Sequence, residues 1–454
     1  MSARLIATSI PYMNGRPHMG HAMEFVIADV LARYNRAAGN ETFFLTGSDE
    51  HGSKIFNKAK ELGEDTLTML DANVATFQSL EKTLSIAYDD FIRTTDRARH
   101  WNTAQDVWRK LSAKGDIYKK SYTGLYCEGC EAFLQEKDLV AGECPTHKKK
   151  PAVIEEENYF FALSKYSDVL KELLETDRIK ITPTYRRNEL LTFIREGLQD
   201  VSFSRTAEKM PWGIPVPGDE SQVMYVWCDA LTNYLSGAGY SSDEVRFAKF
   251  GRVYAHVIGK DISRFHALIY MAMLLSAGLE TSENVLVHGF VTSNGEKMSK
   301  SLGNVVDPDD VLAEYVPDAL RYFLAAGGGN MGEDIDFTHE GFKNLYNSAL
   351  VNGLGNLANR TSVLFVKNFP EGVSTEGFAL PNSVSAAVSE AHANYRAALE
   401  RFETKEAYAE VTKLIDLANK HFDDTKPWTI KEDPAALRDS LLVAVEILYQ
   451  VSVL

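Results

Sequence analysis

Residues 11–21, PYMNGRPHMGH, join two segments of different predicted secondary structure. The apolar run before them, residues 4–9, predicts a buried strand, and the amphipathic run after them, residues 22–38, predicts a helix. In an open α/β sheet, anionic ligands bind at such a junction because free backbone N–H groups and the helix dipole point outward there. His18 and His21 add hydrogen-bond donors. The stretch therefore predicts a phosphate-binding loop.

Length and charge narrow the class of protein. The 454 residues are enough for two or more domains. A net charge of −15 argues against a broad coat of nucleic acid. The basic runs at residues 119–120 and 148–150 leave room for a nucleic acid held locally, and plain solvated surface is the alternative. No apolar run is long enough to span a membrane and no signal-peptide pattern opens the chain, so we expect a cytoplasmic enzyme.

The residue patterns predict an α/β fold with a doubly wound parallel sheet, an insertion, and an all-α helical bundle at the end. Residues 223–227 and 253–258 are expected to continue the sheet that residues 4–9 and 42–46 begin, and residues 284–291 are a further strand candidate. Helical spacing is predicted at residues 66–86, 96–113, 155–174, 188–197, 341–367, 384–402, 404–422 and 434–452. The predicted segments are 1–114 and 213–283 for the catalytic domain, 115–212 for the insertion, 284–339 for a connecting region and 340–454 for the bundle.

Three of the four cysteines lie close together in the insertion. Cys127 and Cys130 are followed by thirteen residues and then by Cys144 and His147. Two close ligand pairs on two turns can surround a tetrahedral zinc ion, and three thiolates with one imidazole make a closed, structural site. A redox pair is less well supported because no thioredoxin-like context surrounds it; unliganded polar positions are the other alternative. The fourth cysteine, Cys228, is predicted to be a packed core thiol.

A second phosphate-binding candidate lies near residue 300. Lys297, Met298, Ser299 and Lys300 follow a predicted turn at residues 293–295. Two cations on a small-residue loop can close over a polyphosphate and neutralise the charge that develops as it leaves. An exposed surface loop rich in lysine is the alternative for this segment taken alone.

Together, PHMGH at residues 17–21 and KMSKS at residues 297–301 resemble the paired signatures of class I aminoacyl-tRNA synthetases. Further motifs resemble the methionyl-tRNA synthetase family, of the bacterial type with one zinc: Pro11-Tyr12-x-Asn14-Gly15, Asp49-Glu50-His51-Gly52, Asn188-Glu189, Gly197-Leu198-x-Asp200, residues 227–234 (WCDALTNY), residues 258–262 (IGKDI) and Phe265-His266. The resemblance covers nearly the whole chain and implies a Rossmann-like catalytic domain.

The resemblance implies activation of L-methionine with ATP and Mg²⁺, followed by transfer of the methionyl group to the 3′ end of tRNA(Met), including the initiator tRNA. His18, His21, Lys297 and Lys300 would be the catalytic residues. The ATP-binding residues would be His18, Gly20, His21, Gly259, Asp261, Lys297, Met298, Ser299 and Lys300. The methionine carboxylate is already ionised at pH 7, so positioning and charge stabilisation must supply most of the rate.

By the same resemblance, methionine would bind in an aromatic pocket, which suits its flexible thioether. The pocket residues would be Ser9, Ile10, Tyr12, Asp49, Trp227, Ala230, Leu231, Tyr234, Ile262 and His266. Asp49 would face the substrate amino group, and Tyr12 and His266 would lie near the sulfur. For each aromatic residue, ordinary core packing is the alternative.

The helical bundle would read the anticodon through Asn356, Arg360 and Trp428. Asn356 and Arg360 lie four residues apart on one predicted helix and can share a face, and the Trp428 ring offers a flat surface for an unpaired base. Because the family's appended C-terminal tRNA-binding module does not follow the bundle, a monomer is expected.

The chain departs from the family at Met19, where Ile or Leu is usual, and at Tyr270-Met271, where Trp-Pro is frequent. The alternatives are another class I synthetase, specific for leucine, isoleucine, valine or cysteine, and an inactive RNA-binding relative. The insertion has no room for a large editing domain beside a zinc knuckle, and both phosphate loops are intact. Both features favour the methionine enzyme.

Overall fold

The computed structural model describes residues 2–127, 132–134, 136, 139–145, 148–208, 210–298, 304–327 and 329–454. These residues form two compact units. The first unit contains the chain up to Pro17 and from Asn35 to Val287, and the second contains His18–Tyr34 and His288–Leu454. The boundaries predicted inside each unit remain predictions.

A six-stranded sheet organises the first unit, as the predicted α/β class requires. Ala3–Thr8 pairs in parallel with Glu41–Ser48 on one side and with Val253–Gly259 on the other. The strands follow one another across the sheet in the order Asp90–Arg93, Glu41–Ser48, Ala3–Thr8, Val253–Gly259, Asn284–His288 and Lys180–Thr182. The strands predicted at residues 4–9, 42–46 and 253–258 are therefore confirmed.

The middle of the first strand is apolar and fully buried because the strand lies inside the sheet. Leu5, Ile6 and Ala7 are each 0% exposed, as a strand covered on both faces requires. Where this strand ends, the hydroxyl of Thr8 donates to that of Thr46 on the neighbouring strand at 2.8 Å. Polar groups therefore begin at the carboxyl edge of the sheet.

Along the chain of the first unit, helices lie between the strands. Asp65 and Asp243 cap two of them by accepting hydrogen bonds from the N–H groups of Thr68 and Arg246. The helices are Ser53–Leu62, Thr66–Thr83, Asn102–Ala113, Ser167–Glu175, Thr184–Arg195, Val226–Ala230, Asn233–Ala238, Glu244–Phe250 and Met271–Ser276. Irregular helical turns occupy Arg97–Trp101, Leu163–Tyr166, Lys260–Ile262 and Phe265–Tyr270.

The prediction of a helix at residues 155–174 is wrong in its first part. Residues Ala152–Phe161 form a strand that pairs antiparallel with Ile117–Cys127, and a helix begins only at Ser167. The long neighbouring strand forms hydrogen bonds with alternate backbone groups of this segment. This pairing is favoured over the helix that the spacing of the apolar residues predicted. The sheet of the insertion has the order Ala132–Leu134, Ile117–Cys127, Ala152–Phe161 and Val201–Ser202.

The prediction that residues 223–227 continue the parallel sheet is also wrong. The strand Asp219–Met224 pairs antiparallel with Ser204–Thr206 and Pro215–Val216 in a separate sheet, and a short helix, Val226–Ala230, follows. The parallel sheet instead takes up Lys180–Thr182 from within the predicted insertion, paired with Asn284–His288. Pairing between segments a hundred residues apart is not visible in local periodicity.

The second unit begins with His18 and residues 19–34 of the helix Met19–Ala37 and continues with a small sheet. The strand predicted at residues 284–291 ends at His288, and a new strand, Val291–Ser293, lies between Glu296–Lys297 and Ile335–Phe337. The predicted turn is confirmed: Asn294 and Gly295 have φ values of 54° and 77°, which asparagine and glycine adopt readily.

Helices complete the second unit, and after residue 337 the described residues contain no strand, which confirms the predicted helical bundle. Leu357, Leu414, Phe422 and Leu441 meet in its apolar core. The helices are Pro308–Glu314, Pro317–Tyr322, His339–Leu345, Asn356–Asn368, Asn382–Glu400, Thr404–Thr425 and Pro434–Val453, with irregular turns at Phe323–Gly327, Tyr346–Gly355 and Pro427–Thr429. Among all the described residues, no helix has the length and apolar content needed to cross a membrane.

Candidate active site

Two loops at the carboxyl edge of the large sheet are tied together by backbone hydrogen bonds. The N–H of Asp49 donates to the carbonyl of Pro11, and the N–H of Met13 donates to the carbonyl of Asp49, both at 2.9 Å. Tyr12 and Asp49 thereby form a short parallel bridge. Asp49 is buried, so its carboxylate is held at the sheet edge with little water around it. An ammonium group is a suitable partner for such a carboxylate.

Buried and half-buried aromatic side chains lie on the helices of the same unit. The indole of Trp227 stacks on Phe265 with ring centroids 3.8 Å apart, and it meets His266 in a T-shaped contact at 6.5 Å. His266 also contacts the ring of Tyr234, at 5.7 Å. The structure therefore brings together three of the residues predicted to bind methionine, although His266 lies more than thirty residues after Trp227 and Tyr234 in the chain. Such surroundings suit a polarizable thioether.

His266 is a neutral hydrogen-bond acceptor. Its Nδ1–H group donates to the carbonyl of Ile262 at 3.1 Å, so its Nε2 accepts from the hydroxyl of Tyr234 at 2.7 Å. Burial lowers the pKa of His266 to about 4, against the opposing effect of the Ile262 carbonyl. This hydrogen-bonded pair places two polar atoms inside an otherwise apolar group of side chains.

The remaining residues predicted to bind methionine also lie in the first unit. The N–H of Ser9 donates to the carbonyl of Val257 at 3.1 Å and so follows the end of the central strand. Ala230 is buried on the short helix that carries Trp227. The other three pack in one hydrophobic cluster with Trp227 and Tyr234: Ile10, Leu231 and Ile262.

In the second unit, His18 and His21 form a stacked pair at the start of the first helix. Their ring centroids are 3.6 Å apart and their planes differ by 12°. The N–H of His18 donates to Nδ1 of His21 at 3.2 Å, and the N–H of His21 donates to Nδ1 of His18 at 3.4 Å. Because both Nδ1 atoms accept, each ring carries a proton on Nε2. The pair therefore places two Nε2–H groups beside a helix N-terminus.

Both the charge state and the spacing of this pair depend on its surroundings. Burial, the charge of His18 and the charge of His288 together lower the pKa of His21 well below its ordinary value, so His21 is neutral at pH 7. A side chain at Gly20 would place its Cβ 3.1 Å from two ring atoms of His18. Glycine at this position therefore leaves room for the His18 ring, which would have to shift slightly to accommodate a Cβ.

The other predicted ATP-binding residues lie in both units. Lys297 is exposed on the short strand Glu296–Lys297 and holds its ammonium 4.5 Å from the centre of the Phe290 ring. Asn304 donates to the carbonyl of Lys297 at 3.2 Å, and Met298 is half-buried. In the first unit, Gly259 is buried at the end of its strand, and Asp261 is exposed in the turn that follows. The predicted residues Ser299 and Lys300 lie outside the described part of the chain.

The residues predicted to read the anticodon lie on the bundle of the second unit. The Arg360 guanidinium lies 5.2 Å from the centre of the Trp428 ring and 5.3 Å from that of Phe422. It also pairs with Asp423 at 3.6 Å. Asn356 is exposed one helical turn before Arg360, and Trp428 is 47% exposed. A planar cation and a planar ring are thus held together at the surface.

Two of the four predicted zinc ligands can be placed. Cys127 and Cys144 are buried thiols without a disulfide. The N–H of Cys144 donates to the carbonyl of Lys149, and the N–H of Lys148 donates to the carbonyl of Cys144, so a tight turn follows Cys144. Buried thiols beside a tight turn fit a structural zinc ion. Cys130 and His147 lie outside the described residues, among which no group of three metal-binding side chains occurs.

Glu50, His51 and Asp229 lie in motifs that resemble those of the family, but of residues 49–52 and 229 the sequence predicts a role only for Asp49. Glu50 is fully buried and accepts hydrogen bonds from Arg93 Nε at 2.6 Å and Ser48 Oγ at 2.5 Å. His51 and Asp229 are also buried, and their side chains lie 2.6 Å apart. The signal was a run of polar residues directly after a buried strand. The Cys228 thiol next to Asp229 is buried as predicted, and this burial raises its pKa well above the usual value.

Comparison with known proteins agrees with these observations. The family model described as tRNA synthetases class I (M) matches residues 4–153 and 137–362. The methionine--tRNA ligase of Fusobacterium nucleatum is 42% identical over 436 residues, which cover 95% of this chain and 68% of that protein. The methionine--tRNA ligase of Brucella suis is 40% identical over 457 residues, covering 99% of this chain and 88% of that protein.

Solved structures agree as well. The methionyl-tRNA synthetase of Mycobacterium tuberculosis in complex with methionyl-adenylate superposes with a TM-score of 0.94 at 36% identity, over 100% of this chain and 90% of that one. The free form of the Mycobacterium tuberculosis enzyme has a TM-score of 0.87 at 33% identity. The chain therefore belongs to the methionine--tRNA ligase family of the class I tRNA synthetases.

Proposed function

We propose that this chain is a methionine--tRNA ligase that activates L-methionine with ATP and then transfers the methionyl group to the 3′ end of tRNA(Met), including the initiator tRNA. The observation that carries the proposal is the match to methionine--tRNA ligases over nearly the whole chain. In the first step the methionine carboxylate attacks the α-phosphate of ATP, which forms methionyl-adenylate and releases pyrophosphate. In the second step the terminal ribose hydroxyl of the tRNA displaces AMP.

The first step needs no general base, because the attacking carboxylate is already ionised at pH 7. The Nε2–H groups of His18 and His21 would donate to the phosphates, and Lys297 and Lys300 would neutralise the charge on the leaving pyrophosphate. Gly20, Gly259, Asp261, Met298 and Ser299 would complete the nucleotide site. Mg²⁺ bound to the nucleotide would add further neutralisation of phosphate charge.

Methionine recognition would combine one charged contact with an apolar pocket. Asp49 is buried at the sheet edge and would accept from the substrate ammonium group. Tyr12 lies on the loop that is tied to Asp49, and Trp227 and the Tyr234–His266 pair supply aromatic surface with two polar atoms. Ser9, Ile10, Ala230, Leu231 and Ile262 would line the remainder.

An amino-acid-dependent pyrophosphate-exchange assay tests the reaction. Methionine should support exchange, and leucine, isoleucine, valine and cysteine should not. A Lys297→Ala, Lys300→Ala double variant should slow adenylate formation far more than it weakens methionine binding, because the loop would act on the phosphates. Absence of methionine-dependent exchange would refute the proposal, and a collapse of methionine affinity in the double variant would refute the role of the lysine loop.

The bundle would recognise the unpaired anticodon bases through Asn356, Arg360 and Trp428. The exposed Trp428 ring and the guanidinium held beside it support this assignment, because unpaired bases stack on aromatic rings and arginine planes.

All of these residues come from one chain, and we propose that the enzyme acts as a monomer in the cytoplasm. Light scattering that finds a stable dimer at micromolar concentration would refute the monomer.

A single structural zinc ion would be held by Cys127, Cys130, Cys144 and His147. The two buried thiols and the turn after Cys144 support the site, and the ion would organise a segment that has little apolar content of its own. Elemental analysis of the purified protein should find about one equivalent of zinc. A metal-free preparation that is folded and active would refute the site.

A further inference from the structure

Asp229 is the centre of a buried hydrogen-bond network that the reaction described above does not use. Its Oδ2 atom accepts from Nδ1–H of His51 at 2.6 Å, and its Oδ1 atom accepts from Nε2–H of His100 at 2.6 Å. The second nitrogen of His100 lies 3.0 Å from the hydroxyl oxygen of Ser236. Asp229 and His100 are 0% exposed and His51 is 2% exposed, so water does not compete for these contacts.

The carboxylate is ionised and fully engaged. Burial by itself would raise the pKa of Asp229, but the neighbouring His51 and His100 hold the pKa below its ordinary value. Charge-assisted hydrogen bonds of this kind are short and roughly twice as strong as neutral ones. The geometry also orients His51, because Nδ1 carries the proton that Asp229 accepts.

The network joins two segments that carry different parts of the proposed methionine pocket. His51 lies two residues after Asp49, the proposed partner of the substrate ammonium group. Asp229 lies between Trp227 and Ala230, which belong to the proposed apolar wall. The 2.6 Å contact between His51 and Asp229 therefore links the charged part of the pocket to the apolar part.

The helix that carries Trp227 needs such an anchor. Val226–Ala230 has five residues, and no side chain caps its N-terminus. A helix of this length has almost no stability of its own, so contacts outside it must set its position. Asp229 supplies two of these contacts to separate parts of the chain, at residues 51 and 100.

The loop on the other side of the network is rigid. Besides its contacts with Arg93 and Ser48, Glu50 donates through its N–H to Thr94 Oγ1 at 2.9 Å and accepts through its carbonyl from Trp212 Nε1 at 2.7 Å. The His51 ring contacts the rings of Trp101 and Trp212, with both centroid distances at 5.9 Å. A rigid loop bonded to a short helix is the arrangement expected for holding two substrate contacts at a fixed separation.

We propose that His51, Asp229 and His100 are positioning residues for methionine: they hold the Trp227–Ala230 wall at a set distance from Asp49, so that the ammonium group and the side chain of one amino acid are bound together. The proposal rests on the methionine-binding function proposed above. None of the three residues needs to touch the substrate. Loss of the network should weaken methionine binding and leave ATP binding nearly unchanged.

The experiment measures pyrophosphate exchange with methionine and ATP varied in turn. Asp229→Asn keeps the shape of the side chain but cannot accept from both imidazoles. It should raise KM for methionine about tenfold or more, which is the effect of losing a buried charged hydrogen bond, and change KM for ATP less than about twofold. Equal changes in the two KM values, or an unchanged KM for methionine, would overturn the proposal.

Conservative variants separate positioning from general stability. An asparagine amide can replace Nδ1–H and a glutamine amide can replace Nε2–H, so His51→Asn and His100→Gln should stay within about threefold of the wild-type KM for methionine. His51→Ala and His100→Ala should match Asp229→Asn. If Asp229→Asn does not fold, the comparison of His51→Asn with His51→Ala decides the question by itself.

Asp116 provides a matched control. It is a buried aspartate of the same unit that accepts from Ser276 at 2.7 Å and Lys165 at 3.0 Å, and no proposed pocket residue is its neighbour in sequence. Asp116→Asn should lower the melting temperature without raising KM for methionine. A rise equal to that of Asp229→Asn would show that the effect is only lost stability, which refutes the proposal.

The function and the inference can fail separately. If the wild-type chain shows no methionine-dependent exchange, the proposed function fails. If the wild type is active and Trp227→Ala raises KM for methionine while the network variants do not, only the positioning role of the network fails.

Discussion

The hydroxyl of Tyr234 donates to Nε2 of His266 at 2.7 Å, and the contact is buried among aromatic rings. Because Nδ1 of His266 is already committed to the Ile262 carbonyl, Tyr234 is the residue that satisfies Nε2. A polar pair of this kind can hold a thioether by polarising it, and it loses its geometry if either member is removed.

Tyr234→Phe should therefore raise KM for methionine about tenfold, because a buried acceptor is left unsatisfied. KM for ATP should not change. Tyr270→Phe is the matched control: the Tyr270 ring lies 5.4 Å from that of Tyr234, so the substitution removes a hydroxyl from the same group of aromatic rings. Equal effects of the two substitutions on exchange kinetics would contradict the prediction.

Acid should destabilise the first unit through two buried histidines. Burial lowers the pKa of His266 to about 4, and burial together with His266 lowers the pKa of His256 well below the usual value. Between about pH 6.5 and pH 4 the unfolded chain binds more protons than the native one, so the free energy of unfolding falls as the pH falls. Urea unfolding followed by tryptophan fluorescence at several pH values measures this slope.

His256→Gln tests the share of His256 in that slope. The glutamine amide can still meet Ser282, whose hydroxyl lies 2.9 Å from Nε2 of His256, but it does not titrate. In the variant, the number of protons taken up on unfolding, which the slope of the free energy of unfolding against pH reports, should be smaller by about one. An unchanged slope would mean that His256 does not titrate on unfolding in this range.

Alkali should act on Glu81, which lies on the helix Thr66–Thr83. The side chain is fully buried, neither carboxyl oxygen has a hydrogen-bond partner among the described residues, and burial raises the pKa to about 8. Between its ordinary pKa and about 8 the native state binds the extra proton, so the free energy of unfolding falls as the pH rises through that range.

Glu81→Gln should remove this pH dependence, so the melting temperature of the variant relative to the wild type should rise from pH 5 to about pH 8 and level off above it. Glu64→Gln, at an exposed position next to the same helix, serves as the control and should give a curve parallel to the wild type. Parallel curves for both variants would contradict the role of Glu81.

Gly20→Ala should slow adenylate formation. The new Cβ would lie 3.1 Å from the ring atoms Cε1 and Nδ1 of His18 and would displace the ring from His21. We expect a fall in the exchange rate of about tenfold, less than the loss of a whole donor, with KM for methionine within about twofold. Met19→Leu keeps the apolar bulk at the neighbouring position and should leave the rate unchanged. A wild-type rate in Gly20→Ala would show that the His18 ring position does not matter.

Trp428→Ala should impair tRNA charging and leave pyrophosphate exchange intact. Loss of one stacked base should lower kcat/KM for tRNA by about tenfold to a hundredfold. The matched control is Val366→Ala, which removes an exposed apolar side chain from the helix that carries Arg360. If both variants charge tRNA equally well, the Trp428 ring takes no part in recognition.

Local periodicity correctly predicted the strands, helices and turns whose structure follows from their own residues. The strand Ala3–Thr8, the helix Met19–Ala37 and the turn at Asn294-Gly295 all follow from the residues within them. It failed at Ala152–Phe161, where pairing with Ile117–Cys127 outweighs helical spacing.

By itself, the sequence determined the α/β class, the terminal helical bundle, the two phosphate-loop motifs and the family, because these reside in short runs of neighbouring residues. Only the tertiary structure decided that Lys180–Thr182 joins the parallel sheet and that His51 and His100 meet on Asp229. The physical reason is that a buried polar group must find its partner wherever the fold brings one within about 3 Å, and sequence spacing carries no record of that meeting.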